Sequence, residues 1–258
     1  METVSHNDRT TAYEVVDRGG DGPPICCLHG SGGARDVWTG QHPLADRYPI
    51  VAVDLSGHGD SDDADASAGY TALSAYADDV LAVVEATDAS VLLGNSLGGA
   101  IALHILLERS FDPDAVVLTG TGARLGVLDD LLEWLESDFE RAVEFLHGPD
   151  RLFHDPDPDL RAESMERMYD CGQAVTRRDF LTSHEFDVRD RLGEIETPAL
   201  AAYGEHDQLT PPWFHEYLAD EIERGELAEI EDAGHLAMLE QPTAFNAVVD
   251  EFLTAADT

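Results

Sequence analysis

Short, continuous apolar runs alternate along this chain with longer segments in which apolar residues recur at helical spacing. The runs are typical of parallel strands that are buried on both faces, and the longer segments are typical of helices packed against such strands. The strands are predicted at residues 11–16, 25–28, 50–53, 91–93, 115–118, 199–203 and 227–230. Helices are predicted at residues 36–45, 71–87, 97–109 and 243–254. The alternation predicts an α/β fold in which helices cover both faces of a parallel sheet, with residues 11–16 as an edge strand.

Residues 124–190 interrupt this alternation, because apolar residues keep helical spacing there and no strand of the buried type appears. Leucines and aromatics recur at helical spacing between residues 128 and 146, and residues 160–171 and 174–183 also look helical. We therefore predict a helical insertion at 124–190 within a core made of residues 1–123 and 191–258. A second independent domain is the alternative, but the strand at 199–203 resumes the original pattern at once.

The charge of the chain is strongly acidic, with 53 Asp and Glu residues against 15 basic residues and a formal net charge of −38. All of the basic residues are arginines, and the acidic excess is spread along the chain. Such a charge destabilises the compact state by self-repulsion, which molar salt screens. The composition resembles that of cytoplasmic proteins from halophilic organisms. It argues against nucleic acid or an anionic membrane as a partner.

The remaining bulk features point to the cytoplasm. The first eight residues are polar and acidic, unlike a signal peptide, and no apolar run is long enough to span a membrane. Cys26 and Cys27 are adjacent in a predicted strand, where side chains alternate between faces, so these two thiols should not form a disulfide. Buried thiols in a reducing cytoplasm are the plain interpretation.

A serine stands at the apex of the glycine-rich turn Gly94-Asn95-Ser96-Leu97-Gly98, between the strand at 91–93 and the helix after it. Such a turn holds the serine in a strained conformation that lifts its hydroxyl off the sheet. Glycines at its two ends let the strand and the helix pass closely. The N-terminus of the helix stabilises anionic charge at the same point. Ser96 is therefore a candidate nucleophile.

Asp207 and His235 each follow one of the last two predicted strands. Since reactive groups gather at the carboxyl ends of parallel strands, we expect these residues to meet Ser96 there. His235 would take the proton of the Ser96 hydroxyl, and Asp207 would orient the imidazole. Neighbouring residues at these strand ends could fill the same roles. They are Glu205 or Asp232 for the acid, and His206 or His215 for the base.

The tetrahedral intermediate of acyl transfer needs hydrogen-bond donors for its oxyanion. The backbone N–H of Leu97 is one candidate, and that of Ser31 is the second, with Gly32 a near alternative. His29, Asp54 and His58 also lie in loops after strands, and we interpret them as residues that shape those loops.

Five motifs in this order make the chain resemble the α/β-hydrolase superfamily, in particular its small cytoplasmic esterase-like members. They are His29-Gly30, Asp54-x-x-Gly57-x-Gly59-x-Ser61, Gly94-Asn95-Ser96-Leu97-Gly98-Gly99, Gly204-x-x-Asp207-x-x-x-Pro211 and Gly234-His235. The resemblance covers nearly the whole chain. It implies the α/β-hydrolase fold with a mostly parallel eight-stranded sheet, and it implies that residues 124–190 form a cap or lid that shapes an acyl pocket.

Together these features predict a serine hydrolase that cleaves small carboxylic esters through an acyl-enzyme. We expect no cofactor, because no phosphate-binding glycine loop is present, and no metal, because no Cys/His set has ligand spacing. Haloalkane dehalogenases and epoxide hydrolases resemble this fold but use a carboxylate nucleophile, so a serine in the turn argues against both. Enol-lactone hydrolysis remains an alternative within the family.

A carbon–carbon bond hydrolase and a ligand receptor are also compatible with these motifs. Family members that hydrolyse carbon–carbon bonds of dienoic ketoacids share the Gly-Asn-Ser-x-Gly-Gly form, and their acidic substrates call for an inward arginine. Arg124, Arg177 and Arg178 are the candidates for such a role. A receptor, which is not an enzyme, would keep the fold with a vestigial triad. The acyl group, the alcohol group and the oligomeric state are not determined by these patterns.

Overall fold

The computed structural model describes residues 1–256, and its centre is an eight-stranded sheet. The strands are β1 (Glu2–His6), β2 (Arg9–Val16), β3 (Ile25–Leu28), β4 (Ile50–Val53), β5 (Val91–Asn95), β6 (Ala115–Thr119), β7 (Ala199–Gly204) and β8 (Gly225–Ile230). Their order across the sheet is β1-β2-β4-β3-β5-β6-β7-β8. The β1–β2 and β2–β4 pairs are antiparallel and the other neighbours are parallel, so the predicted, mostly parallel sheet is confirmed.

Helices cover both faces of this sheet. They are α1 (Tyr70–Thr87), α2 (Leu97–Glu108), α3 (Asp129–Ser137), α4 (Phe139–Leu146), α5 (Pro158–Cys171), α6 (Gln173–Glu185), α7 (Pro212–Glu221), α8 (Ala237–Glu240) and α9 (Pro242–Ala255). Helices α1 and α2 bury their apolar residues in a core on one face. Helix α9 and a 3₁₀ helix at Arg35–Asp46 do so on the other.

The central strands are buried along their whole length, as the continuous apolar runs predicted. Successive side chains point to opposite faces, so Cys26 packs in one core and Cys27 in the other. Both thiols are buried and free, as predicted, and Cys171 is a third free thiol.

One local prediction was wrong. Residues 11–16 lie within β2, which is not the edge strand, because β1 pairs with its outer side. Strand β1 carries no apolar alternation since most of its residues are exposed, so the pattern did not reveal it. The helix predicted at 36–45 is present as a 3₁₀ helix at Arg35–Asp46, and Pro43 inside it removes one backbone donor that an α-helix needs.

The segment between β6 and β7 contains α3, α4, α5 and α6, together with a 3₁₀ helix at Arg189–Glu194. These four α-helices lie within the residues that were predicted as a helical insertion. Across residues 1–256, no helix combines the length and the apolar character that crossing a membrane requires.

Candidate active site

The turn between β5 and α2 holds Ser96 in a strained conformation, with φ 54° and ψ −115°. The backbone around it is fixed from the neighbouring strand. The Ser96 N–H donates to the Thr119 carbonyl at 3.0 Å, and the Thr121 hydroxyl donates to the Ser96 carbonyl at 2.8 Å. A Cβ atom on Gly98 would collide with the carbonyl oxygen of Leu28, so glycine is needed where the helix crosses β3. These contacts explain why the serine stands at the apex of the turn.

His235 and Asp207 form a buried pair behind this turn. The Nδ1 atom of His235 lies 2.8 Å from Oδ2 of Asp207. The same carboxylate accepts hydrogen bonds from the Leu209 N–H (2.8 Å), the Thr210 N–H (2.9 Å) and the Thr210 hydroxyl (2.6 Å). An ionised carboxylate can only accept hydrogen bonds, so Nδ1 of His235 carries a proton and donates it to Asp207.

The electrostatics agree with an ionised Asp207. Burial alone would raise the pKa of this carboxyl group, but His235 and the hydrogen bonds from Thr210 hold the pKa below its usual range. The side chain of Asp207 is fully buried and that of His235 is only 4% exposed, so water screens their interaction little.

Three contacts fix the loop that carries His235. Its N–H donates to the Arg151 carbonyl at 3.1 Å. The Asn95 side-chain amide donates to the His235 carbonyl at 3.3 Å. The Gly234 N–H donates to the Glu240 carboxylate at 2.7 Å. The loop is thus tied both to the turn that carries Ser96 and to residues of the segment between β6 and β7.

Ser96 and His235 line one cavity of about 560 Å³. Its walls are mostly apolar and come largely from the segment between β6 and β7 and from the loops after β7 and β8. The apolar side chains that line it are Val37, Leu125, Val127, Leu128, Leu131, Phe145, Leu152, Leu160, Met168, Phe180, Leu209, Phe214, Leu236 and Leu239. A cavity of this size and character suits a small ligand with an apolar group.

Leu97 and Ser31 are the two residues expected to supply oxyanion donors. Leu97 is the first residue of α2, so its N–H has no acceptor within the helix. Ser31 lines the cavity that Ser96 also lines. Gly32, the near alternative, has its N–H bonded to Oδ2 of Asp179 at 3.1 Å and is therefore occupied.

Of the residues interpreted as loop-shaping, none lines the cavity. Asp54 accepts hydrogen bonds from the backbone N–H groups of Asp60 (3.0 Å), in its own loop, and of Arg35 (2.8 Å), at the start of the 3₁₀ helix. His29 and His58 are both fully buried, with their ring centroids 4.7 Å apart.

The alternative acid and base residues have other partners or are exposed. His215 is buried and accepts the Thr121 N–H at 3.0 Å, and His206 stacks on His154 with ring centroids 3.6 Å apart. Glu205 and Asp232 are exposed. Within residues 1–256, Asp207 is the one carboxylate that hydrogen-bonds His235.

One cluster of residues 1–256 has the donors to hold a metal ion. It consists of Glu205, His206 and Asp232, whose ligand atoms lie within 4.8 Å of one another. None of the three lines the cavity that contains Ser96.

The three arginines that were considered for binding a substrate carboxylate do not line the cavity. Each has a partner elsewhere: Arg124 lies 4.0 Å from Asp187, Arg177 lies 3.1 Å from Glu136, and Arg178 donates to the Tyr76 hydroxyl at 3.0 Å.

A different arginine, Arg167, does line the cavity, but it pairs with Asp36 and lies 3.9 Å from Asp170. Glu163 and Glu166 also line the cavity and are exposed. Carboxylates therefore outnumber the single guanidinium on this wall.

Several side chains that support the site were not predicted from the sequence. Thr210 and Asn95 each stand within three residues of a predicted site residue, and polarity so close to such a residue is a signal that could have found them. Asp179 has no such signal, since its contact with Gly32 joins residues 147 positions apart.

A family model described as "Alpha/beta hydrolase family" matches residues 27–248. The chain belongs to the alpha/beta hydrolase family. This hydrolase is 31% identical over 245 residues to the pimeloyl-[acyl-carrier protein] methyl ester esterase of Neisseria meningitidis serogroup C. The match covers 89% of the chain and 93% of that relative.

Solved structures give the same result. A thermophilic esterase superposes with a TM-score of 0.87 at 28% identity, covering 99% of this chain and 97% of that one. Est816, described as an N-acyl homoserine lactone degrading enzyme, superposes with a TM-score of 0.82 at 26% identity, covering 97% and 100%. The chain is thus an esterase-like α/β hydrolase, as the motifs predicted.

Proposed function

We propose that this hydrolase cleaves small, uncharged carboxylic esters through an acyl-enzyme formed on Ser96. The observation that carries the proposal is the buried hydrogen bond of 2.8 Å between His235 Nδ1 and Asp207, in a site whose cavity is lined by both Ser96 and His235. A receptor with a vestigial triad would not need this pair to be buried and fully hydrogen-bonded. The pair therefore favours catalysis over mere binding.

In the first half-reaction, His235 Nε2 takes the proton of the Ser96 hydroxyl as Oγ attacks the ester carbonyl carbon. The N–H groups of Leu97 and Ser31 stabilise the negative charge that forms on the carbonyl oxygen. The intermediate collapses with cleavage of the bond to the alcohol oxygen, which takes the proton from His235. Asp207 stabilises the imidazolium throughout this half-reaction and keeps the ring in the required tautomer.

In the second half-reaction, a water molecule gives a proton to His235 Nε2 and attacks the acyl carbon. The new tetrahedral intermediate expels the Ser96 oxygen, which recovers its proton from His235. The carboxylic acid leaves and the free enzyme is restored. No further reactant is needed.

The cavity supports an apolar, uncharged substrate. Its walls offer apolar surface for an acyl or alcohol group. The part of the wall that carries Glu163 and Glu166, which we call the acidic wall, repels a carboxylate on the substrate. Arg167 does not offset this repulsion, because it is already paired with Asp36. Carbon–carbon bond hydrolysis of dienoic ketoacids is disfavoured on this ground, since Arg124, Arg177 and Arg178 all lie outside the cavity lining.

An enol-lactone is a second candidate substrate in chemical terms, because it is a cyclic ester that meets the same nucleophile and the same oxyanion donors. The structural similarity to Est816, the N-acyl homoserine lactone degrading enzyme, supports a lactone as a candidate substrate. Ring opening would leave the acid and the enol on one product molecule.

We assign residues 124–190 the role of a cap over the active site. The support is that Leu128, Leu131, Phe145, Met168 and Phe180 from this segment line the cavity that Ser96 enters. We further propose that the enzyme works in the cytoplasm of a halophilic organism, on the strength of its net charge of −38 and its lack of lysine.

The test is a panel of p-nitrophenyl acetate, p-nitrophenyl butyrate, simple lactones and carboxylate-bearing esters, assayed in KCl at ~2 M to screen self-repulsion. We expect turnover of neutral esters, with the Ser96→Ala variant inactive. Ser137→Ala is the matched control, since Ser137 is an exposed serine on α3 whose hydroxyl, among residues 1–256, bonds the Glu133 carbonyl alone. A wild-type enzyme without turnover on any member would overturn the proposal.

A further inference from the structure

A buried aspartate on α6 contacts the loop that carries the Ser31 N–H. Asp179 is fully buried, and its Oδ2 atom accepts the Gly32 N–H at 3.1 Å. The same oxygen lies 2.8 Å from Nε2 of His58, and its other oxygen accepts the Tyr76 hydroxyl at 2.6 Å. This carboxylate joins the segment between β6 and β7 to two loops of the core.

The partner of Asp179 is a charged imidazole. Nδ1 of His58 lies 3.1 Å from the Ser56 carbonyl oxygen, and Nε2 faces the Asp179 carboxylate. Since neither oxygen can donate, both ring nitrogens of His58 must carry protons. Burial by itself would lower the pKa of His58, but the Asp179 carboxylate raises that pKa well above its ordinary value. Asp179 and His58 are thus a buried ion pair.

The peptide on the other side of Ser31 is also held. The Gly30 carbonyl accepts the Gly33 N–H at 3.1 Å and lies 2.8 Å from Nδ1 of His29. His29 is neutral, because its Nε2 accepts the Leu55 N–H at 3.1 Å. The Gly30 carbonyl and the Ser31 N–H belong to one rigid, planar peptide unit, so fixing the carbonyl directs the N–H the opposite way.

Ser31 therefore stands between two peptide units that are each anchored from outside the cavity. The first is anchored at the Gly30 carbonyl and the second at the Gly32 N–H. A donor must lie within a few tenths of an ångström of its place to stabilise an oxyanion, and small displacements cost large factors in rate.

We propose that Asp179 is a positioning residue for the oxyanion hole, reaching from the inserted segment to fix the Ser31 N–H through Gly32. This rests on the proposed function, in which the Ser31 N–H stabilises the oxyanion. The arrangement couples the packing of α6 against the core to the rate of acyl transfer. An α6 that moves away from the core withdraws the acceptor of the Gly32 N–H and loosens the donor loop.

The test compares Asp179→Asn with the wild type and with Asp130→Asn. Asparagine keeps the shape of the side chain but removes the charge that pairs with His58. It also replaces one of the two oxygens that accept from Gly32, His58 and Tyr76 with an NH2 group, which cannot accept. Asp130 is an exposed aspartate on α3 with no hydrogen-bond partner among residues 1–256. Asp130→Asn therefore removes one negative charge, as Asp179→Asn does, without breaking a hydrogen bond. Each preparation is titrated to completion with a fluorophosphonate, so that kcat for p-nitrophenyl butyrate is expressed per functional site.

For Asp179→Asn we expect kcat to fall about 10- to 100-fold with KM changed less than about threefold, because the lost interaction belongs to the transition state. The affinity for a trifluoromethyl ketone, whose adduct with Ser96 carries an oxyanion, should fall in parallel. Asp130→Asn should match the wild type. A kcat within about twofold of the wild type together with unchanged ketone affinity overturns the inference, as does a change in KM alone.

If Asp179→Asn gives no site that the fluorophosphonate labels, Tyr76→Phe takes its place. This variant leaves the ion pair and removes one hydrogen bond to Asp179, and we expect kcat to fall about threefold to tenfold. An unchanged kcat and ketone affinity in Tyr76→Phe then overturn the inference. A wild-type enzyme that turns over no ester contradicts the proposed function, whereas an active wild type with an unaffected variant contradicts this inference alone.

Discussion

Nδ1 of His235 lies 2.8 Å from Oδ2 of Asp207, and the Thr210 hydroxyl donates to the same oxygen at 2.6 Å. The Thr210 oxygen is also 3.2 Å from His235 Nδ1, so these three groups form one compact cluster. All three residues are buried. The imidazole is therefore held in one orientation and one tautomer before any substrate arrives.

Asp207→Asn should lower kcat for p-nitrophenyl butyrate by about 10⁴-fold, because an amide can donate to Nδ1 and so favours the wrong tautomer of His235. KM should change only a few-fold, since Asp207 does not line the cavity. Steady-state kinetics per titrated site measure both constants. Asp130→Asn serves as the control, and a loss of less than about tenfold in kcat would contradict the role assigned to Asp207.

The free energy of unfolding should fall as the pH is lowered from about 6.5 to 4. Four buried histidines have their pKa lowered to about 4, and burial is the largest cause in each case. They are His29, His104, His147 and His215. The unfolded chain titrates these groups near pH ~6.5. It therefore binds more protons in this window, and stability is lost as the pH falls through it.

Urea unfolding between pH 4 and 7 measures this slope. The measurement is made in KCl at ~3 M. At low salt, protonation of surface carboxylates would relieve self-repulsion as the pH falls and would oppose the expected loss of stability. His104→Gln removes one of the four groups and should make the slope shallower. A slope near zero in the wild type would show that these histidines are protonated in the folded protein.

The melting temperature should rise by many degrees between KCl concentrations of ~0.1 M and ~3 M. The Debye length falls from about 10 Å to below about 3 Å over this range, so repulsion within a chain of net charge −38 is screened. Differential scanning calorimetry at neutral pH gives the measurement. A melting temperature that does not change with KCl concentration would contradict the halophilic interpretation. It would not bear on the proposed catalysis.

Glu163→Gln combined with Glu166→Gln should raise kcat/KM for a carboxylate-bearing ester by about threefold to tenfold. Both glutamate side chains line the cavity and repel the carboxylate of such a substrate. The kcat/KM for the neutral ester of the same length should change less than about twofold. The assay uses the lowest KCl concentration at which the enzyme remains folded. Equal changes for both esters would show that the acidic wall does not select by charge.

Most of the sheet could be predicted from the sequence because buried strands appear there as unbroken apolar runs. The prediction failed at β1, where pairing on one side leaves most residues exposed and polar. It also failed to distinguish a 3₁₀ helix from an α-helix at Arg35–Asp46, because both bury Trp38 with similar spacing.

The predicted site residues could be proposed because each follows a strand whose end lies at the same edge of the sheet. The supports of the site are harder to predict. Asp179 meets Gly32 only after α6 packs on the core, and its pairing with His58 depends on burial that no local pattern encodes. Contacts between residues far apart in sequence are set by packing, which composition and spacing leave open.

The most direct test of the account is pre-steady-state hydrolysis of p-nitrophenyl butyrate in molar KCl, combined with fluorophosphonate labelling and mass mapping. The account predicts a burst of p-nitrophenol of about one equivalent per site when deacylation is slower than acylation. It also predicts one labelled residue, Ser96, and neither burst nor label in Ser96→Ala. Turnover that survives in Ser96→Ala, or a label on a different residue, would contradict the central claim.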